Sequence, residues 1–176
     1  MDNGATALVI PNKEVGMIFT DTVRLWFEET AAALDLSHFA ESLWNGDAEF
    51  IRKNLNDVLY DTISYYDNTE SFYHGFVAGL LRGAGFAVKS NRENGLGRAD
   101  LAVEDGKNKR ALIIELKRAA KYDELDRMAA EALEQIEKRK YAAELQPQIR
   151  TVLKYGISFW KKECCVKMAR LQLNAI

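Results

Sequence analysis

The chain has 176 residues, 48% of them hydrophobic, which is enough for one sizeable core and short for two full domains. Its 24 basic and 26 acidic side chains leave a net charge of -2, so any nucleic-acid contact has to come from a local basic surface and not from a global field. No apolar run approaches the roughly 20 residues of a membrane span, and Met1-Asp2-Asn3-Gly4 lacks the charge and apolarity of a signal, so a cytoplasmic protein without a membrane partner is expected.

In chain order, Ala7-Leu8-Val9-Ile10-Pro11-Asn12 reads as a short extended segment ended by proline, the expected edge of a larger parent. From Thr22 to about Tyr66 apolar residues recur at helical spacing, as in Val23, Trp26, Phe27 and then Leu55, Val58, Leu59, Ile63. Asn45-Gly46-Asp47 interrupts that run with turn chemistry, which predicts two or three short helices. Residues 1–66 are therefore expected to form a helical appendage and 67–176 the main domain.

A further helix is predicted over Thr69 to Arg82, closed by Gly83-Ala84-Gly85. Strands follow at Phe86-Ala87-Val88, Ala99 to Val103 and Ala111 to Leu116, with turns at Asn94-Gly95 and Asp105-Gly106. Leu125, Met128, Ala132, Leu133 and Ile136 form the apolar stripe of a long helix predicted from Tyr122 to Leu145. Two last strands, Thr151 to Phe159 and Glu163 to Arg170, meet around Lys161-Lys162. The fold class is α/β, a mixed sheet flanked by helices.

The adjacent Cys164 and Cys165 would make a strained mutual disulfide and have no zinc spacing, so they read as reduced strand residues. With only His38 and His74 in the chain, a metal site has to be mainly oxygen-ligated. Gly83-Ala84-Gly85 and Gly95-Leu96-Gly97 occur in the wrong order relative to strands and helices for a dinucleotide site, and no phosphate-binding G-x-x-x-x-G-K-[ST] loop is present.

Chemistry concentrates in Gly97-Arg98-Ala99-Asp100-Leu101-Ala102-Val103 and Ala111-Leu112-Ile113-Ile114-Glu115-Leu116-Lys117. Side chains alternate along a strand, so Glu115 and Lys117 share a face. Pairing across Asp105-Gly106 brings Asp100 beside Glu115. A Glu-Lys pair at a strand end is also what a solvated same-face ion pair looks like. The apolar Ile113-Ile114-Glu115-Leu116 run weighs against that, because a glutamate in a buried central strand is costly unless something compensates it. Crowded carboxylates repel, and a hard divalent cation relieves them. Magnesium or manganese suits such oxygens, polarises a phosphodiester and lowers the pKa of an attacking water. Lys117 is then placed to orient that water and offset charge in the transition state.

Asp100 and Glu115-Leu116-Lys117, within a helix, three-strand meander, helix and strand order, resemble the PD-(D/E)XK nuclease superfamily and its restriction-endonuclease-like core. More narrowly, Ile10-Pro11-Asn12-Lys13-Glu14-Val15, Phe72-Tyr73-His74-Gly75, Gly97-Arg98-Ala99-Asp100 and Leu153-Lys154-Tyr155-Gly156-Ile157 resemble the C-terminal part of bacterial AAA-ATPase-like proteins that carry such a domain. Ala99 stands where the superfamily usually has proline. The resemblance implies a metal-dependent nuclease acting on nucleic acid, DNA before RNA, with Asp100, Glu115 and the Leu116 carbonyl as ligands and an upstream ATPase-like region in a longer parent. It also implies a further ligand, Glu70 or His74, from the first core helix, and a site contact from Gln135. Lys138 and Arg139 read either as a solvated face or as phosphate contacts, and Arg92 and Arg98 flank the catalytic turn as further backbone contacts. A homodimer would supply the second cut of a duplex. The rival reading keeps the fold without chemistry, as a nucleic-acid or protein-binding module of an ATPase-linked protein.

Overall fold

The computed structural model describes residues 35–62, 69–90, 99–139, 141 and 145–173. Two helices, α1 (Leu36–Asn45) and α2 (Ala48–Thr62), meet at Gly46 and Asp47 as the turn chemistry predicts. Asp35 caps α1 by accepting from the His38 amide at 3.0 Å, and Asp47 accepts from the Phe50 amide at 3.0 Å at the start of α2. Helix α3 (Glu70–Gly83) starts from Thr69, whose hydroxyl accepts from the Phe72 amide at 3.2 Å. The extended segment expected at residues 7–12, the helical run at 22–34, the turn at Asn94-Gly95, and Arg92 and Arg98 lie outside the described residues.

Five strands, β1 (Val88–Ser90), β2 (Leu101–Asp105), β3 (Arg110–Arg118), β4 (Thr151–Trp160) and β5 (Glu163–Gln172), form one sheet in chain order. All neighbours are antiparallel except β3 and β4, which run parallel and are joined through a single-turn 3-10 helix (Tyr122–Glu124) and α4 (Leu125–Lys138). The sheet is therefore mixed and the fold α/β, as expected.

Two predicted boundaries shift. The first strand begins at Val88 and not at Phe86, because Gly85 turns left-handed at φ 84° and the Phe86 amide bonds the Leu81 carbonyl, closing α3. Phe86 then packs edge-on against Trp44 at 5.7 Å. Helix α4 ends at Lys138, seven residues before Leu145. Tyr141, beyond the helix end, is buried with Ala99, Ile113, Ile136 and Val152.

Both sheet faces are covered. Leu112, Ile114 and Leu116 of β3 pack with α1, α2 and α3 in the larger core, whereas Ala111 and Ile113 face the smaller cluster beneath α4. This double burial explains the nearly unbroken apolar run of β3. Helices α1 and α2 contribute Phe39, Leu43, Ile51, Leu55 and Leu59 to the same core as the sheet. Buried Asn56 stitches α2 to β5, accepting from the Cys164 amide at 2.8 Å and donating to Glu163 at 2.9 Å. Asn56→Ala leaves the Cys164 amide unsatisfied, so a loss of about 2 kcal/mol is expected. Thermal unfolding should register it as a drop of roughly 4–8 °C. No described helix is long and apolar enough to cross a membrane. Both cysteines are free, as read from their adjacency.

Candidate active site

The register of β2 on β3 pairs Leu101 with Ile114, so Asp100, one residue earlier, falls opposite Glu115. The two acids interlock through the backbone. The Asp100 carboxylate accepts from the Leu116 amide at 2.8 Å, and the Glu115 carboxylate faces the Asp100 amide at 3.4 Å. Glu115 is only 4% exposed. Burial, reinforced by the negative charge of Asp100, pushes its carboxyl up to about 7, against the pull of the Asp100 amide, Lys117 and Gln135.

Lys117 shares the Glu115 face, as period-two alternation requires, but does not bond that carboxylate directly. Its ammonium donates to the Gln135 carbonyl oxygen at 2.8 Å, while the Gln135 amide donates to Glu115. Gln135 thus holds the base and the acid at once. Tyr141, three residues beyond the end of α4, shares a hydrogen bond with Gln135, and burial raises its hydroxyl pKa.

Helix α4 reaches this point because of β4. Gly156 pairs with Glu115 in the parallel ladder and Ser158 with Lys117, so both lie under the helix. A Cβ on Gly156 would stand 2.2 Å from the Ala129 carbonyl oxygen and 2.6 Å from the Leu133 nitrogen. Only glycine admits so close a backbone. Ser158, fully buried, donates to the Leu125 carbonyl at 2.6 Å and pins the first turn of α4. Buried Lys154 pairs with Glu137 near the other end of the helix.

The other expected site residues separate into two groups. His74 Nε2 lies 3.2 Å from the backbone carbonyl of Asp100 and 3.3 Å from the Ser90 hydroxyl, so the imidazole supports the aspartate's main chain and does not meet its carboxylate. Glu70 is exposed on the first turn of α3, where the helix dipole favours an acid, and bonds neither Asp100 nor Glu115. Lys138 and Arg139 line, with Lys117, Glu131, Glu134 and Gln135, a cleft of about 510 Å³ opening beside the site. Lys138 pairs there with Glu134 at 2.9 Å.

Among the described residues no three His, Cys, Asp or Glu side chains gather into a ready metal-binding group. The donor chemistry nevertheless fits a hard cation. Two carboxylates share one point, and the buried one is held near neutrality by burial and by its neighbour's charge, a cost that a divalent ion removes. Asp100, Glu115 and the Leu116 carbonyl are the groups that would hold it. Tyr141 and Ser158 are contributors that the motifs do not reveal, and Gly156, though inside the family-like segment Leu153–Ile157, receives no role at the site from the sequence alone. Of these only Gly156 carries a local signal, a glycine inside an apolar strand.

A helix-flanked mixed sheet with an acid pair and a lysine at adjacent positions of two central strands defines a nuclease-like fold. The sequence profile of the PD-(D/E)XK nuclease superfamily matches residues 68–169, more than half of the chain. The protein belongs to that superfamily. No curated protein matches it in sequence.

Proposed function

We propose that the protein is a magnesium- or manganese-dependent nuclease that hydrolyses phosphodiester bonds of nucleic acid, DNA in preference to RNA, with 67–176 as the catalytic part and 1–66 as an appendage linked to an ATPase-like region. The observation that carries this reading is the hydrogen-bonded row Glu115, Gln135, Lys117 beside Asp100. A bound divalent ion supplies charge neutralisation at the scissile phosphate and a more acidic water.

The protein's own groups do the remaining work. Asp100 is oriented by the Leu116 amide, and its free oxygen is left for the cation. Gln135 keeps Glu115 and Lys117 apart, so the ammonium is not consumed in an internal ion pair. Lys117 can therefore turn to the water or to the phosphate oxygens, where its charge matters in the transition state. Lys138 and Arg139 at the cleft offer phosphate contacts that set affinity more than sequence choice.

The test is cleavage of labelled single- and double-stranded DNA and RNA with magnesium, manganese or EDTA, comparing the parent with Lys117→Ala. Cleavage should require the metal, and the variant should be slower by about 10²- to 10³-fold. An uncut substrate under every metal, or a variant as fast as the parent, overturns the reading. Divalent-independent DNA binding without cleavage would favour the binding-module alternative.

A further inference from the structure

Exposed aromatic surface is rare among the described residues. Among the described residues only Tyr60 and Tyr122 are large hydrophobics left open to solvent, at 53% and 60%. Tyr60, on α2, is engaged through its hydroxyl with Glu163 at 2.9 Å. Tyr122 differs in both place and company. It opens the 3-10 turn before α4, and its ring meets Trp160 edge-on at 5.7 Å and 73°.

Position gives the pair its meaning. Gly156, Ser158 and Trp160 alternate along β4, and the first two are the ladder partners of Glu115 and Lys117, so Trp160 lies on the face that carries the site. At a rise of about 3.3 Å per residue it stands about 7 Å beyond the level of Lys117 and about 13 Å beyond Glu115. Lys161 holds its ammonium 4.6 Å above the Trp160 ring. Its backbone sits at φ 52°, the left-handed region where glycine or asparagine is the ordinary choice, which a lysine occupies at a cost of about 1 kcal/mol. Lys121, exposed before Tyr122, adds a second cation, and exposed Asp123 offsets one of them.

Aromatic faces with lysines alongside, a few nucleotides from a phosphodiester-cleaving centre, match a chain that has both free bases and phosphates. A duplex keeps its bases stacked inside and presents no faces to Tyr122 or Trp160; an unpaired strand does. From this we infer that Tyr122 and Trp160, with Lys161, form a base-stacking platform for single-stranded nucleic acid leading to or from the Asp100–Glu115 centre. The inference rests on the nuclease reading for the class of substrate, and it adds that the preferred substrate has an unpaired stretch next to the cut. With Asp123 present, affinity depends on stacking more than on charge.

The test uses the full chain, a fluorescein-labelled oligo(dT) and a blunt DNA duplex, with EDTA present so that binding is read by anisotropy without cleavage. Tyr122→Ala and Trp160→Ala should each weaken oligo(dT) binding by roughly 5- to 150-fold, the worth of one stacked base, and leave duplex binding nearly unchanged. Tyr122→Phe and Trp160→Phe should retain most of the affinity. Tyr122→Ala alters only an exposed side chain, so it keeps the test valid should Trp160→Ala fold poorly. Parent-like oligo(dT) binding by Tyr122→Ala, equal losses on oligo(dT) and duplex, or no oligo(dT) binding by the parent each overturns the platform. If metal-dependent duplex cleavage survives such a result, the nuclease reading stands without the platform. Selective loss of oligo(dT) binding in a parent that never cleaves leaves the platform without the nuclease.

Discussion

Glu115→Gln is expected to abolish metal-dependent cleavage and, in the absence of metal, to make the protein more stable. The cleavage loss follows from the proposed ligand role: removing one anionic donor forfeits several kcal/mol of cation-mediated stabilisation, about 10³-fold or more in rate. The stability gain follows from the buried carboxyl. In the native state it titrates at about 7 because of burial and the Asp100 charge, against 4.5 in the unfolded chain. Between those values the folded state binds the extra proton, so stability is fully present below about 4.5 and falls as pH rises through about 7. The full effect approaches about 3 kcal/mol.

Glutamine keeps the shape, its one carbonyl oxygen can still accept from Gln135 at the loss of the long 3.4 Å contact from the Asp100 amide, and it carries no charge to desolvate. Chemical denaturation in EDTA at intervals from pH 5 to 8 should show the parent losing stability across that range while Glu115→Gln stays nearly flat. Adding magnesium or manganese should restore the parent at neutral pH and do little for the variant. Parallel pH curves for the two proteins would refute the assigned cause.

Gly156→Ala should damage the site from beneath. The added methyl meets main-chain atoms of α4, 2.2 Å from the Ala129 oxygen and 2.6 Å from the Leu133 nitrogen, with the Leu133 Cβ at 3.0 Å. Backbone cannot rotate away, so the whole helix has to lift by about 1 Å to regain ordinary contact. That movement strains the Ser158 bond to Leu125 and carries Gln135 away from Glu115 and Lys117.

Overpacking of this kind costs about 1–3 kcal/mol, and a displacement of about 1 Å at a reacting centre can cost about 100-fold in rate. Gly75→Ala is the control, since a Cβ there meets nothing within 4 Å and alanine favours a helix. Urea denaturation and cleavage assays on both variants provide the comparison. A Gly156→Ala protein with parent-like stability and activity would mean that α4 is not seated as described.

Much of the site was readable from residue order because it depends on strand periodicity. Once β2 and β3 pair across Asp105-Gly106, period two puts Glu115 and Lys117 on one face and brings Asp100 opposite, and no distant residue is needed to establish this. The apolar run around Glu115 likewise announced a strand buried on both faces. Helix ends were less legible. The α4 stripe continues the same composition past Lys138, yet the helix ends there and Tyr141 is buried in the small cluster. Glu70 and His74, four apart on one helix, are equivalent by spacing, yet one points to solvent and the other to the Asp100 main chain.

The chain's own order of residues therefore determined the acid pair, the lysine and the mixed-sheet nuclease fold, since local alternation and turn chemistry specify them. The link between them was decided only in three dimensions. Gln135 lies eighteen residues from Lys117 and twenty from Glu115, and it reaches both because α4 settles onto a strand position without a side chain. That contact comes from packing between layers, where the fit of Gly156 under Ala129 and Leu133 outweighs any helical propensity written along the sequence.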